Sequence, residues 1–486
     1  MTFNLTTDPW IPVRYLDGRS ASVSLHQLFA EASTIADLAV PPHERISILR
    51  LLVCITQTTL GAPGTPYDWD GWGNDLEFAT ADYLAKWKEH FNLMGDGTRF
   101  LQAPITDDKD YPTAQIVFHF ATGNTPTLLD HEGDENRDLT PAFIARALLV
   151  YQNHFVGGSL ASKVKGNGPA LKALHSLLVG KNLRETILLN CIDEETLAPG
   201  SLGKPVWEGG GKFDYLARLA PAPCKLWLVK DAARICIDQG IIYPEFEAAN
   251  VRETSSTIIV GKRGGVETPV LLRANIGKGI WRDLHLITVL QKGGSTNAPL
   301  TFQSHLGGDQ RADEITFWTG ELIKAKDAKI LDAVESVFTV PFEMFEVIGQ
   351  IRYQKGVVFA EDFSKRIYGA VKTYFATLMQ DSAPTDSAQR HFWNTLDQQS
   401  GILLQLLKGA GTADDPMGSA DFGKGPDPWT AAVRAAANAA YEATCPRQNP
   451  RQLQAYAAGL RVLRPTAKKT TVKSTSRQKT PAAQDS

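Results

Sequence analysis

The run "ISILRLLVCITQTTL", residues 46–60, constrains the fold most. It is apolar apart from interruptions at Arg50 and Gln57, and it is too short to cross a bilayer. Such a segment reads as a helix buried inside a larger body, opened by Pro41-Pro42. With 486 residues, 43% of them hydrophobic, the chain is long enough to supply that body and for two domains or three.

Charge and cysteines narrow the class. Lys and Arg number 50 against 53 Asp and Glu, a formal charge of -3. A protein holding nucleic acid alone, through its phosphates, carries a larger positive excess. Either nucleic acid is not the partner, or other subunits bring the positive charge. Cys54, Cys191, Cys224, Cys236 and Cys445 form no C-x-x-C pair, and an odd set of isolated thiols argues against a disulfide framework. Buried thiols in a reducing cytoplasm are expected. The start "MTFNLTTDPW" has no basic stretch followed by an apolar core, so no signal peptide is expected.

The periodicity changes along the chain. "WIPVRYLDGRSASVSL" has two β-leaning runs around Asp17-Gly18, a hairpin signal. "LEFATADYLAKWKEHF" is an amphipathic helix and "AQIVFHF" a short strand. "TPAFIARALLVYQNHF" is a helix capped by Thr140 with Pro141 at its first position. From about 155 to 310, Gly, Pro and β-type runs ("CKLWLVK", "TPVLLRA", "LHLITVL") alternate with basic loops. After about 320 the spacing is helical, in "ELIKAKDAKILDAVESVF", "FSKRIYGAVKTYFATLMQ", "SAQRHFWNTLDQQSGILLQLL", "PWTAAVRAAANAAYEAT" and "RQLQAYAAGLRVL". The fold class expected is α+β. An irregular globular domain over 1–335 precedes a C-terminal antiparallel helical (four-helix) bundle over 336–464, and 465–486 form a disordered basic tail.

Catalytic signatures are absent from this sequence. "GSLGKPV" and "FGKGPDP" lack the spacing and hydroxyl residue of a phosphate-binding P-loop, and there is no H-E-x-x-H or G-x-S-x-G. The loop "NTPTLLDHEGDENRDLTP", residues 124–141, gathers Asp130, His131, Glu132, Asp134, Glu135 and Asp138. A hard-cation loop needs carboxylates in a fixed register with a closing acidic ligand, which this one lacks. The loop is a solvated connector, a metal site or a finger that touches a partner. No enzyme activity, cofactor or metal is expected.

Several stretches carry a resemblance. "DPWIPV", "LLVCITQTTLGAP", the irregular loop near 130, "FVGGSLASK" and the helical C-terminal third resemble, in order, the CasA family. These are the large subunits of Cascade, the type I-E CRISPR surveillance complex. The resemblance implies a non-catalytic subunit that works with the other Cascade subunits and CRISPR RNA. It would read the PAM of double-stranded target DNA from the minor groove, promote strand separation and R-loop formation, and help dock the helicase-nuclease.

Carried over, the family's central loop falls on Leu128, Leu129, Asp130 and His131, with the two leucines as apolar anchors. Its glycine loop falls on Gly157 and Gly158, with Lys163 and Lys165 beyond as phosphate contacts. Its lysine-bearing hairpin falls on "IIVGKRGGVETPV", with Lys262 and Arg263 at the tip; an arginine at 263 departs from a family lysine there but keeps the charge. Its strand-separating wedge falls on a turn in "IRYQKGVVF", at Gln354, Lys355 and Gly356, where either Gln354 or Lys355 inserts. Relatives with paired cysteines suited to zinc have no counterpart around "DLTPAF". Two rival readings stand beside this one: a structural scaffold that never touches DNA, and a metal-dependent hydrolase using the His131 loop.

Overall fold

In the computed structural model the apolar run lies within the helix Pro42–Leu60, which stops where Gly61 turns to a φ of +90° and returns its N–H to the Gln57 carbonyl at 3.0 Å. Every residue from Ile46 to Gln57 is buried. The helices Pro66–Lys86, Pro141–His154, Leu183–Leu189 and Tyr215–Leu219 and the strand Glu314–Lys324 pack around it, so its sides are covered by protein. The structure describes residues 2–64, 66–106, 109–120, 139–197, 200–290, 296–306, 312–324, 330–408 and 422–465.

Two compact units result, Met1–Tyr353 with Leu404–Ser419, and Gln354–Leu403 with Ala420–Ser486. The first is mixed. Its sheets are small and antiparallel: Ser20–Val23, Ile11–Tyr15 and Ile35–Leu38 in one, Asp110–Pro112, Arg234–Gln239 and Cys224–Val229 in a second, and Ile330–Pro341, Glu314–Lys324 and His175–Leu178 in a third. The Asp17-Gly18 hairpin forms, with Gly18 at φ +88°. Thr140 caps the helix Pro141–His154, accepting from the Phe143 N–H at 3.3 Å. All five cysteines are buried, and none is joined in a disulfide. Among the described residues no helix is long and apolar enough to cross a membrane.

Several local expectations are corrected. "ELIKAKDAKILDAVESVF" is not a helix but most of the long hairpin Glu314–Lys324 with Ile330–Pro341, so the strand Ile330–Pro341 crosses the expected domain boundary at 335. Its Ala, Leu, Lys and Glu favour a helix, but pairing of Glu314–Lys324 on both edges overrides that weak preference. Glu321 is buried there because Arg273 Nε and the Ala274 N–H donate to it, at 3.2 and 2.6 Å. "AQIVFHF" is a 3-10 turn over Thr113–Ile116 rather than a strand, and "LHLITVL" holds the short helix Leu284–Ile287. "SAQRHFWNTLDQQSGILLQLL" breaks into Thr385–Asp397 and Ser400–Gln405.

The second unit is helical where described: Val347–Thr377 beyond residue 353, Thr385–Asp397, Pro428–Thr444 and Pro450–Leu463. Asp427 and Asn449 cap the last two, accepting from Thr430 and Gln452 N–H groups at 2.6 and 2.9 Å. Buried polar groups tie the helices together. Trp429 Nε1 donates to the Gly356 carbonyl at 2.9 Å, and the Tyr441 hydroxyl to the Tyr456 carbonyl at 2.9 Å.

Candidate nucleic-acid interface

The glycine loop begins where the helix Pro141–His154 ends in buried polar side chains. Gln152 Nε2 donates to the carbonyls of Leu101 and Cys224 at 3.2 and 3.0 Å, and Asn153 Oδ1 accepts from Arg50 Nε at 2.8 Å. The chain leaves the helix at Phe155, and Val156 bridges Asn167. Gly157 donates to Asn167 Oδ1 at 3.3 Å, and Gly158, at φ +79°, to the Val164 carbonyl at 2.8 Å. A Cβ on Gly157 would overlap the Gly166 backbone. Both glycines are thus required by the loop itself, one for close approach and one for its φ. Lys163 reaches Asp238 at 3.4 Å, whose pKa is held down by the Gln239 N–H and then by Lys163. Lys165 donates its Nζ to the Ser162 carbonyl at 3.0 Å and its backbone N–H to Gln239 Oε1 at 2.8 Å.

The hairpin expected around Lys262 is present, as Ile258–Arg263 paired with Val266–Leu271, but its tip is Gly264-Gly265 and not Lys262 and Arg263, which pair with Glu267 and Val266 in the stem. Gly264 and Gly265 turn it at φ +59° and +85°, two successive positive values that suit a two-residue loop. Lys262 is exposed, stands opposite Glu267, and forms no salt bridge among the described residues. Two strands alone are marginal, so the stem needs an anchor. Leu272 donates to Thr257, and Leu174 donates to Leu272, each at 2.9 Å. His175 completes it, with Nδ1 2.8 Å from Ser255 Oγ and Nε2 2.9 Å from the Ala170 carbonyl.

One buried ion network roots both elements. Glu253, 5% exposed, accepts from Arg50 Nη1 at 2.6 Å and from Arg218 Nε and Nη2 at 3.0 and 2.5 Å. Arg50 also donates to the Arg218 carbonyl. The network joins the central helix, the helix leading into the glycine loop, and the stretch that feeds the Lys262 hairpin. Gly157, Gly158, Lys163 and Lys165 therefore share one loop, and Lys262 stands on a neighbouring element held by the same frame.

The wedge residues are placed differently from the expectation. Gln354, Lys355 and Gly356 are not in a turn but in the helix Val347–Thr377. Buried positions at Tyr353, Val357, Ala360, Phe363, Ser364 and Ile367 give the stretch a continuous helical face. Gly356 is buried on it, and a Cβ there would overlap Leu403. Gln354 and Lys355 are exposed. Leu128, Leu129, Asp130 and His131 lie outside the described residues. Arg263 belongs to the hairpin strand.

Sequence reasoning missed Lys324. Its Nζ donates to the His154 carbonyl at 2.8 Å and lies 3.4 Å from the centroid of the Phe118 ring, and burial pushes its pKa well down. The β-branched and aromatic residues of "EITFWTGELIK" are the available strand signal, obscured by the helix-favouring residues that follow.

Comparison with known proteins places this architecture. The family model for CRISPR-associated protein Cse1 matches residues 4–441. CRISPR-associated protein CasA/Cse1 of Thermus thermophilus is 27% identical over 386 residues, 75% of this chain and 76% of that one. The solved Thermus thermophilus CasA (Cse1) superposes with a TM-score of 0.76 at 21% identity, over 95% of this chain and 99% of that one. Cse1 of Acidimicrobium ferrooxidans gives 0.70 at 20% identity, over 96% and 97%. A chain of a CRISPR RNA-guided surveillance complex gives 0.74 at 16% identity, over 95% and 99%. The structural likenesses establish the shared fold, and with the family match spanning most of its length this chain belongs to the CRISPR-associated Cse1 (CasA) family.

Proposed function

We propose that this chain is the large, non-catalytic subunit of a CRISPR RNA-guided surveillance complex of the type I-E Cascade class, acting on double-stranded DNA that carries a PAM. The supporting observation is the exposed Lys262 beside the Gly264-Gly265 turn, on a hairpin rooted in the same buried frame as the glycine loop. A long cationic side chain on a thin, glycine-tipped hairpin can enter a minor groove that a helix cannot. In this reading Lys262 and Arg263 probe the groove and Gly157 and Gly158 bring backbone to its edge. Lys163 and Lys165 exchange their internal contacts for phosphates. Leu128, Leu129, Asp130 and His131 form a finger toward the guide-end subunit. Gln354 and Lys355 enter as exposed groups on a helix face rather than as a tip.

Residues 336–464 read as an antiparallel four-helix bundle that meets the small subunits and the displaced strand, and 465–486 as a basic tail. The chain promotes strand separation and docks the helicase-nuclease. With a formal charge of -3 it relies on other subunits and CRISPR RNA for orientation and affinity. The test is binding of guide-loaded complex, with and without this chain, to two duplexes differing only in the PAM. The reading requires that tight binding depend on the chain and fade when the motif is scrambled. A scaffold role is the second reading, favoured by the internal use that both glycines already have; it requires equal binding to the two duplexes.

A further inference from the structure

A cleft of about 580 Å³ opens in the first unit, lined by no residue of the Lys262 hairpin but among others by Arg99, Leu101, Trp207, Lys225, Gln239 and Ile241. That volume suits one small planar ligand and excludes a duplex. Leu101, Ile241 and the Trp207 ring supply apolar walls. The two cations differ in their freedom.

Arg99 is held rigidly. Its Nε donates to the Gly95 carbonyl at 2.8 Å and its Nη1 to the Leu228 carbonyl at 2.8 Å, and its guanidinium carbon lies 3.8 Å from the centroid of the Trp227 ring. Among the described residues no carboxylate stands at ion-pair distance from it, and its Nη2 makes no hydrogen bond. Carbonyls and a ring pin this cation while Asp96 acts on it only from beyond ion-pair distance, which leaves it oriented for an anion brought from outside. Lys225 is exposed and forms no hydrogen bond or salt bridge among the described residues. Its cross-strand neighbour Asp238 pairs with Lys163 at 3.4 Å and interacts with Lys225 only through space. Gln239 connects the cleft to the glycine loop, accepting from the Lys165 N–H at 2.8 Å and donating to the Lys165 carbonyl at 3.2 Å.

We propose that this cleft receives a single unpaired nucleotide, its base against Trp207 and its phosphate on Arg99 and Lys225. Apolar walls with an aromatic ring take any base face, and a pinned guanidinium beside a mobile ammonium takes a phosphate. The source is either an opened DNA strand or a guide RNA. That assignment of source rests on the proposed function; binding of the nucleotide does not.

The experiment titrates the full chain alone with 2-aminopurine nucleoside 5′-monophosphate, in deoxy and ribo forms, following quenching of the probe. Saturable quenching is expected, with the affinity reduced roughly tenfold or more in Arg99→Gln and also reduced in Lys225→Glu. The nucleoside lacking phosphate should bind more weakly. Tighter binding of the deoxy form assigns the DNA strand, and of the ribo form the guide. Absence of saturable quenching overturns the proposal, as does quenching indifferent to both substitutions. Lys225→Glu lies at an exposed strand position and keeps the test decisive should Arg99→Gln unfold. No guide, partner or PAM enters the assay, so its failure and failure of the PAM experiment are separable.

Discussion

Replacing Glu253 by Gln tests the frame on which the candidate interface stands. Glu253 is 5% exposed and lies between Arg50 and Arg218, 3% and 6% exposed. Burial alone would raise its pKa, but the two guanidiniums outweigh burial and hold it below the usual range, so it is ionised. Glu253→Gln leaves two buried cations with no counter-charge and turns an amide N–H₂ toward one of them. Removing one partner of such a buried network costs roughly 3–5 kcal/mol. Arg50→Met is the control. It leaves Arg218 and Glu253 as a neutral pair but strips donors from Asn153 Oδ1 and the Arg218 carbonyl, costing about 1–3 kcal/mol for each unsatisfied acceptor. In the double variant the cation that Glu253→Gln strands is partly gone, so its loss should fall short of the sum by about 2 kcal/mol. Denaturant unfolding of the full chain, followed by far-UV circular dichroism, measures all three. A Glu253→Gln loss of less than about 1 kcal/mol, or single losses that simply add, would refute a coupled buried network. The acid arm has a fixed sign. With its folded pKa depressed, the stability Glu253 contributes is present above its unfolded value and is lost as pH falls through the folded one.

Other outcomes follow from single groups. His175 is buried, and desolvation with nearby Arg50 lowers its pKa from 6.5 to about 4, so its stability contribution is present above pH 6.5 and lost as pH falls toward about 4. The stability gap between wild type and His175→Asn should narrow by about 3 kcal/mol across that window, and a constant gap would refute the assignment. Lys262→Glu should leave unfolding unchanged within about 0.5 kcal/mol. In the guide-loaded complex it should weaken PAM-duplex binding and reduce the salt slope by about 1, and an unaltered slope supports the scaffold reading. Gly459→Ala should destabilise the second unit by roughly 1–3 kcal/mol despite the better helix propensity of Ala. The added Cβ would lie 2.6 Å from the Ala370 carbonyl oxygen, and thermal unfolding shows the sign.

What could be read from sequence was set by local physics. The helix Pro42–Leu60 announced itself because no face of it could meet water, and the Gly18 turn because few residues besides glycine take positive φ; the second hairpin was legible, but its tip was set at Lys262 and Arg263, just short of Gly264-Gly265. The strand Ile330–Pro341 was hidden because its pairing with Glu314–Lys324, not its composition, decides its state. The partners of Arg50 were hidden for a related reason. Asn153 and Glu253 lie 103 and 203 residues away, and no spacing rule reaches that far.

The wedge shows how a resemblance and a fold interact. The resemblance placed Gln354, Lys355 and Gly356 in a turn. That glycine is instead a packing residue: its missing side chain admits Leu403, and its carbonyl takes the Trp429 N–H. A glycine whose neighbours are buried at three- and four-residue spacing marks close helix packing, whereas one flanked by another glycine, as at 264-265, marks a turn. Applied to the sequence, that distinction separates the two candidate tips. It keeps Lys262 as the residue whose exposure and thin support suit insertion into a groove, and it moves Lys355 onto a helix face. If strand separation depends on a single inserted side chain, substitutions in the hairpin should abolish it while Lys355→Ala leaves it intact. The reverse result, measured by 2-aminopurine fluorescence at the first base pair beside the PAM, would return the wedge to the helix.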